Sequence, residues 1–399
     1  MANILMITDY YPPRKSIASN RMEAFAKYLT EFGHKVYVIT IGDKTEHVEG
    51  VIDLFRCKDN ATFKMANTAI VENKYRHYIK CAYNIILNSL KVYSTEWVNE
   101  IVHCARTILT EIRIDVIITS YPSIGPMLAG ERIKREFPQI RWIADMRDAV
   151  WTPGNNVIIR SKLCRFTRKV FEYADAILSV SDPQRKKYEK MTDKPCFVVK
   201  NGYDFEPFFY EDYVKNSSFV VVYAGNFYGA RSPKNFLTAC KNLINKGLVP
   251  LLRFEIIGNH SVVELDTALV DRVILKERME YDALIDYCHK TADLLLVVVP
   301  KSREEGMFTG KIFDYVGIGK PIIGLVPSGD VAEQLIKKIG NGYVSEDEDI
   351  QRIEDVLLKA YDDWEFNKRK LPDRDVVMGC HRKETIRELN GIIDSLLNR

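Results

Sequence analysis

The chain has 399 residues, more than one hydrophobic core usually serves, so its length predicts two domains. Its 46% hydrophobic and 28% charged residues are ordinary for a soluble globular protein. A formal net charge of +3 is too small for a dedicated nucleic-acid binder, so any role for positive charge is local.

The eight cysteines are scattered, with no Cys-x-x-Cys pair, and the seven histidines form no ligand cluster. That usage predicts a reducing compartment and no structural zinc. The first residues, MANILMITDYY, have no basic stretch and too short an apolar one for a signal peptide. No run of about 18 apolar residues occurs, so no membrane span is expected. The expected location is the cytoplasm.

In chain order, residues 3–8 (NILMIT) read as a buried parallel strand. After a loop with Pro12 and Pro13, the spacing of Met22, Phe25, Ala26, Leu29 and Phe32 predicts a helix. Gly33 stands where its C-terminal cap belongs. Residues 35–40 (KVYVIT) give the next strand. Residues 60–113 read as mainly helical, with Tyr75, Ile79, Ala82, Tyr83 and Ile86 on one face. Further strands are expected at 116–119, 142–144, 176–180 and 196–200.

The second half repeats the plan: strand 219–225, helix 234–246, strand 253–258, then strands 294–299 and 322–326. Residues 201–218 carry turn chemistry, a proline and mixed charge, and read as the linker. The last stretch is a helix with Ile386, Leu389, Ile393 and Leu396 on one side. Two halves that each open strand–helix–strand predict two parallel-sheet α/β domains.

Ligands of such sheets bind at the carboxyl ends of the strands. The first loop, residues 9–20, lies there but holds no glycine. No G-x-G-x-x-G follows either opening strand, which weighs against a nicotinamide or flavin enzyme. In the second half Gly225 ends a strand, Asn226 opens a glycine-containing loop and Arg231 follows it. The segment GMFTGKIFDY (306–315) has the same design, with a helix starting near Thr309 and Gly310. Free N–H groups at a helix start suit a diphosphate, to which Arg231 and Lys311 each add a charge. Read singly, either is more often a solvated surface residue; two on equivalent loops of one domain favour the site.

Asp314, one turn after Gly310, fits two vicinal ribose hydroxyls or the helix dipole. Glu304 and Glu305 fit sugar hydroxyls or plain solvation, and Arg278 is placed with the donor-binding residues. In the first half, Asp145, Arg147 and Asp148 precede Trp151 (ADMRDAVW). That pattern fits a sugar site, or a buried Arg–Asp pair at a strand end. Tyr121 and Ser123 lie on a second strand-end loop (SYPSIG).

Together these pieces resemble glycosyltransferase family 4. They are ILMITDYYPP with Arg21, GHKVYVIT, DVIITSYPS, ADMRDAVW, VKNGYD, YAGNFYGARSP and TGKIFDYVGIGKPIIGLVPSGD. The resemblance covers most of the chain and is nearest the subset that builds capsule, O-antigen or exopolysaccharide. It implies the GT-B fold: two Rossmann-like domains facing across a cleft. The expected boundaries are an acceptor-binding domain over 1–205, a nucleotide-sugar domain over 206–381, and a helix over 382–399 packing back on the first domain.

The resemblance further implies transfer of a sugar from a nucleotide-diphosphate sugar, with retention and without metal or other cofactor. Arg231, at the position of the family's lysine, and Lys311 would stabilise the leaving diphosphate. Gly225, Asn226, Thr309, Gly310, Asp314, Glu304, Glu305 and Arg278 would bind donor. Tyr121, Ser123, Arg147, Asp148 and Arg21 would face the acceptor. Of the family's two glutamates eight apart, the second matches Asp314 and the first falls on Gly306. Lys15 and Ser16 replace the glycines of the first loop, and no histidine follows DVIITS. A nucleotide-sugar 2-epimerase and a non-catalytic partner with a degenerate donor site are the alternatives. Lipid-linked acceptors are common in the family, and residues 158–174 read as a basic amphipathic helix. Its stripe is Ile159, Leu163, Phe166 and Val170, so contact with an anionic membrane is expected.

Overall fold

Apolar runs with no alternation form strands covered on both faces, and they do so in both halves of this chain. The computed structural model describes all residues except 15, 43–45, 49–51, 58–94, 149, 151–156, 210–214, 228–230, 260–262, 302–305, 307 and 399. The helix face expected at Tyr75 to Ile86, together with Lys15, Trp151, Glu304, Glu305 and the Ile159 side chain, lies outside the described residues.

The chain divides into two units, Met1–Lys200 with Ile386–Arg399, and Asn201–Thr385. Unit 1 runs β1 (Asn3–Ile7), α1 (Ile17–Glu31), β2 (Lys35–Ile41), β3 (Glu46–Val48), β4 (Ile52–Cys57) and α2 (Thr95–Glu111). It continues β5 (Val116–Tyr121), α3 (Ile124–Glu136), β6 (Arg141–Met146), α4 (Val157–Tyr173), β7 (Ala176–Ser179), α5 (Asp182–Glu189) and β8 (Cys196–Val198). The sheet order is β3-β4-β2-β1-β5-β6-β7-β8, parallel except for the antiparallel edge pair β3–β4. Strand β1 pairs with β2 on one side and β5 on the other, so the order reverses between β1 and β5.

Unit 2 runs β9 (Phe219–Ala224), α6 (Lys234–Asn245), β10 (Leu252–Ile257), β11 (Val273–Lys276), α7 (Tyr281–Thr291), β12 (Leu294–Val298) and α8 (Gly310–Ile318). Then come β13 (Ile322–Leu325), α9 (Val331–Lys338), β14 (Tyr343–Ser345), α10 (Ile350–Glu365) and α11 (Arg374–Gly379); the last helix, α12 (Arg382–Leu397), begins in unit 2 and from Ile386 belongs to unit 1. The unit 2 sheet, β11-β10-β9-β12-β13-β14, is parallel in every described pair and reverses between β9 and β12. Each sheet carries helices packed on buried Val, Ile and Leu from its strands.

One detail differs from the expected layout. Part of the expected linker is built into unit 2. Tyr203 is fully buried, its hydroxyl donates to Val377 O at 2.9 Å, and its ring fills the space a Cβ at Gly317 would need. Along α12, Ile386, Leu389, Ile392, Ile393 and Leu396 are buried with Ile4, Met6 and Phe25 in the unit 1 core.

Candidate active site

In a doubly wound sheet, the loops after the two strands at the order reversal splay apart and leave a crevice. In unit 2 those strands are β9 and β12, so the loops that begin at Gly225 and run up to Thr309 flank this crevice. Gly225 has φ +132°, a conformation few other residues adopt, and a Cβ there would collide with Lys311 Nζ. Asn226 is exposed, and its Oδ1 accepts from Asn259 N at 3.0 Å, tying together the loops after β9 and β10. Thr309, buried, is the N-cap residue of α8 but supplies no side-chain cap bond. The first N–H groups of α8 therefore depend on other acceptors.

Lys311 sits in the first turn of α8 as a half-exposed residue, yet its ammonium is out of contact with water. Nζ lies 3.9 Å from the centroid of the Tyr223 ring. Among the described residues it has no hydrogen-bond partner. Burial, and then the nearby charge of Arg231, push its pKa down to about 7. Arg231 is itself buried. The two basic residues read from equivalent loops are thus electrostatic neighbours, beside the bare backbone of Gly225.

Asp314, one turn further along α8, is half-buried, and its Oδ1 accepts from Tyr281 Oη at 2.7 Å. Enclosure by protein raises its pKa to about 6, against the smaller opposing effects of the Tyr281 bond and the Arg382 charge. Tyr281 opens α7 and was not legible as a site residue, because nothing in the sequence pairs it with Asp314. Arg278 is exposed in the segment between β11 and α7. Gly306 has φ +81° and is buried, so no side chain occupies the position of the family's first glutamate. Two Asp-x-Asp spacings occur. Asp349 of one caps α10, accepting from Arg352 N at 2.9 Å, and Asp373 of the other caps α11, accepting from Val376 N at 3.1 Å.

In unit 1 the reversal lies between β1 and β5. Asp9, after β1, accepts from Trp97 Nε1 at 2.8 Å, which brings α2 to this edge. Tyr121, buried at the end of β5, donates to Val150 O at 3.4 Å, and burial pushes its pKa up to about 12. Ser123 is the N-cap residue of α3, with no side-chain cap bond. Arg147 pairs with Asp148 at 3.0 Å and lies over the Tyr10 ring at 5.4 Å; burial lowers its pKa. These four residues share one end of the sheet.

Arg21 is different. Its guanidinium holds Asp145 and also donates to Val199 O at 3.0 Å and Lys200 O at 3.2 Å. It is 3% exposed and joins α1 to the ends of β6 and β8. The buried Arg–Asp pair weighed for ADMRDAVW exists, but its arginine is Arg21, and Arg147 pairs with its neighbour. Trp97, outside every motif, and Tyr223, inside YAGNFYGARSP but not read as a site residue, are further contributors.

Helix α4 corrects the expected membrane-inserting stripe. Leu163 and Val170 are buried in the unit 1 core with Phe171, and Phe166 packs against it. The apolar face is turned inward because the sheet needs a cover on that side. Arg160, Lys162, Arg165 and Arg168 remain exposed. Among the described residues no helix is long and apolar enough to cross a membrane.

No protein-family model matches this chain, and no curated protein matches its sequence. Solved structures match along its whole length. A glycosyltransferase from Rickettsia africae ESF-5 superposes with TM-score 0.65 at 12% identity, over 99% of this chain and 98% of that one. The lipopolysaccharide outer core galactosyltransferase WaaB gives 0.60 at 12% identity, over 98% and 99%. The catalytic domain of Starch Synthase IV from Arabidopsis thaliana, bound to ADP and acarbose, gives 0.60 at 9%, over 100% of both. At such identities the likeness establishes the fold: the two parallel-sheet α/β units are those of GT-B glycosyltransferase structures.

Proposed function

We propose that this chain is a glycosyltransferase that takes a sugar from a nucleotide-diphosphate sugar held by unit 2. The observation that carries the reading is Lys311. A buried ammonium with no hydrogen-bond acceptor among the described residues, beside a buried arginine, is unfavourable by itself. A bound diphosphate would accept its N–H groups and balance both charges. The start of α8 adds N–H donors at the same place. Asp314 would hold the ribose, as the family resemblance implies. Gly225 would let the phosphates approach the backbone, with Asn226, Thr309 and Gly310 around them.

Tyr121, Ser123, Arg147 and Asp148 in unit 1 would bind a glycan or lipid-linked acceptor of surface polysaccharide assembly. The positive charge of the chain is concentrated in unit 1, whereas unit 2 has an acidic excess. That supports work on the cytoplasmic face of an anionic membrane. With the stripe of α4 inside the core, such contact would be electrostatic.

A thermal-shift screen with UDP, GDP, ADP, dTDP and CMP and their sugars tests the reading. A ligand that binds only the native state raises Tm by mass action. One base should stand out, and its shift should vanish in Lys311→Ala. Tm values that no nucleotide moves would sink the proposal. Epimerised donor in the absence of acceptor would point to a 2-epimerase instead.

A further inference from the structure

The ammonium of Lys311 is held by an aromatic ring where a carboxylate would be usual. Nζ stands 3.9 Å from the Tyr223 centroid. Phe227 stacks on the same ring at 4.0 Å and 9°. Both partners lie so near the centroid that they cannot share one face, so the Tyr223 ring is sandwiched between them. The Tyr223 hydroxyl donates to Asn226 O at 3.1 Å and fixes the ring in its plane. Tyr223 and Phe227 are both buried.

We infer that Tyr223 is a positioning residue for donor binding: its ring, backed by Phe227, seats the Lys311 ammonium and leaves its N–H donors for a diphosphate. The inference rests on the donor-site reading above. A carboxylate in the ring's place would engage those donors and repel the phosphates. The negative face of an aromatic ring holds a cation by its quadrupole without taking its protons as acceptors do. It therefore keeps a cation in position next to the like charge of Arg231 with little competition for the ligand. The low pKa of Lys311 agrees with a seat weaker than an ion pair.

The test changes ring electrons at constant shape. Tyr223→Phe is compared in the full-length protein with 4-fluoro- and 3,4,5-trifluorophenylalanine at the same position. Inorganic pyrophosphate is titrated by calorimetry at one pH, and the Lys311 Nζ titration is followed by NMR. Tyr223→Phe, which keeps the ring, sets the reference affinity and Lys311 pKa for the series. The trifluoro ring should weaken binding about tenfold, a size in keeping with a desolvated cation–π contact, and lower the Lys311 pKa. Equal affinity and equal Lys311 titration across the series would overturn the seat. A wild-type protein that binds no pyrophosphate would overturn the donor-site reading, while the Lys311 titration would still decide the role of Tyr223.

Discussion

The guanidinium of Arg21 grips the carboxylate of Asp145 with two hydrogen bonds, Nε to Oδ2 at 3.1 Å and Nη2 to Oδ1 at 2.8 Å. Both side chains are buried, and Ser120 Oγ adds a third donor to Oδ2 at 3.1 Å. Removing one member of such a pair leaves the other charge buried alone, which costs about 3–5 kcal/mol. Arg21→Ala should lower Tm sharply, and Arg21→Lys should recover little, since an ammonium cannot match the two-point geometry. Thermal denaturation measures both. Variants that melt like wild type but lose acceptor binding would return Arg21 to the acceptor site.

Asp314 pulls stability and function in opposite directions. Its folded pKa is pushed up to about 6, above the ordinary aspartate value, with enclosure by protein the main cause. The protonated form is thus favoured by folding, and the stability contribution is lost as pH rises from about 4 through 6. At neutral pH the ionised carboxylate opposes folding. Asp314→Asn should keep the Tyr281 bond, and at pH 7 should leave folding stability unchanged or raise it by about 1 kcal/mol after allowing for partial exposure, with Tm unchanged or higher. Donor affinity should nonetheless fall at least tenfold, as a charge-assisted bond contributes about 1.5–3 kcal/mol. A lower Tm with normal donor affinity would make Asp314 a structural residue.

The strands that form the middle of each sheet were legible because their burial needs unbroken apolar runs. NILMIT, KVYVIT, FVVVYAG and LLLVV each read directly as β1, β2, β9 and β12. Of the edge strands only β8 was read, within the expected strand 196–200; β3, β11 and β14 were not, nor was β4 next to β3. Strands β11 and β14 are short and only partly buried, and β3 pairs antiparallel through polar residues. Arg231 and Lys311 showed in the sequence because each follows a strand end in a repeated design. Their aromatic and hydroxyl partners did not. Tyr223 reads as one more strand residue, Tyr281 meets Asp314 across 33 residues, and Trp97 meets Asp9 across 88. The α4 stripe misled because a helix covering a sheet and a helix lying on a bilayer share one pattern of residues.

The outward basic residues of α4 give a charge-only test of membrane contact. Basic residues near an anionic surface contribute about 1 kcal/mol each. Changing Arg160, Lys162, Arg165 and Arg168 together to glutamine should reduce flotation with anionic liposomes by about 10² or more at low salt. High salt should release the wild type in the same way, since exposed charges are screened. Binding to neutral liposomes, or binding indifferent to salt, would show another mode of attachment.

If Lys311 holds the donor phosphates as proposed, donor binding should depend on pH. Its pKa is lowered from 10.5 to about 7, so the folded protein without ligand holds the proton less tightly than an unfolded chain does. Folding stability should therefore rise as pH increases from about 7 towards 10. Donor affinity should run the other way, because the phosphates need the ammonium. A nucleotide sugar, whose bridging phosphates keep their charge over this range, should bind progressively more weakly above pH 7. Lys311→Arg keeps its charge and should flatten that profile. Calorimetry at pH 6 to 9 decides it, and an unchanged slope in Lys311→Arg would assign the titration to another group.

The proposed transfer has Arg231 and Lys311 acting as a unit. As the bond between sugar and diphosphate breaks, negative charge grows on the leaving phosphate. Donors aimed at that charge stabilise the transition state more than the bound donor. Here they are held next to each other despite their like charge, in a place shielded from water, where such interactions are strongest. Arg231→Ala and Lys311→Ala should each lower kcat about 10²–10³-fold, with a smaller effect on KM for donor. Loss of one cation also relieves the other, so Arg231→Ala should raise the Lys311 pKa. If both serve one diphosphate, the double variant should lose less than the product of the two single losses. If these charges do the work given elsewhere to a divalent ion, EDTA should leave the wild type unaffected. Donor turnover for the four proteins, with and without chelator, measures all of this. Full activity in either single variant removes that residue from the site, and activity lost to EDTA but restored by Mg²⁺ or Mn²⁺ overturns metal-free catalysis.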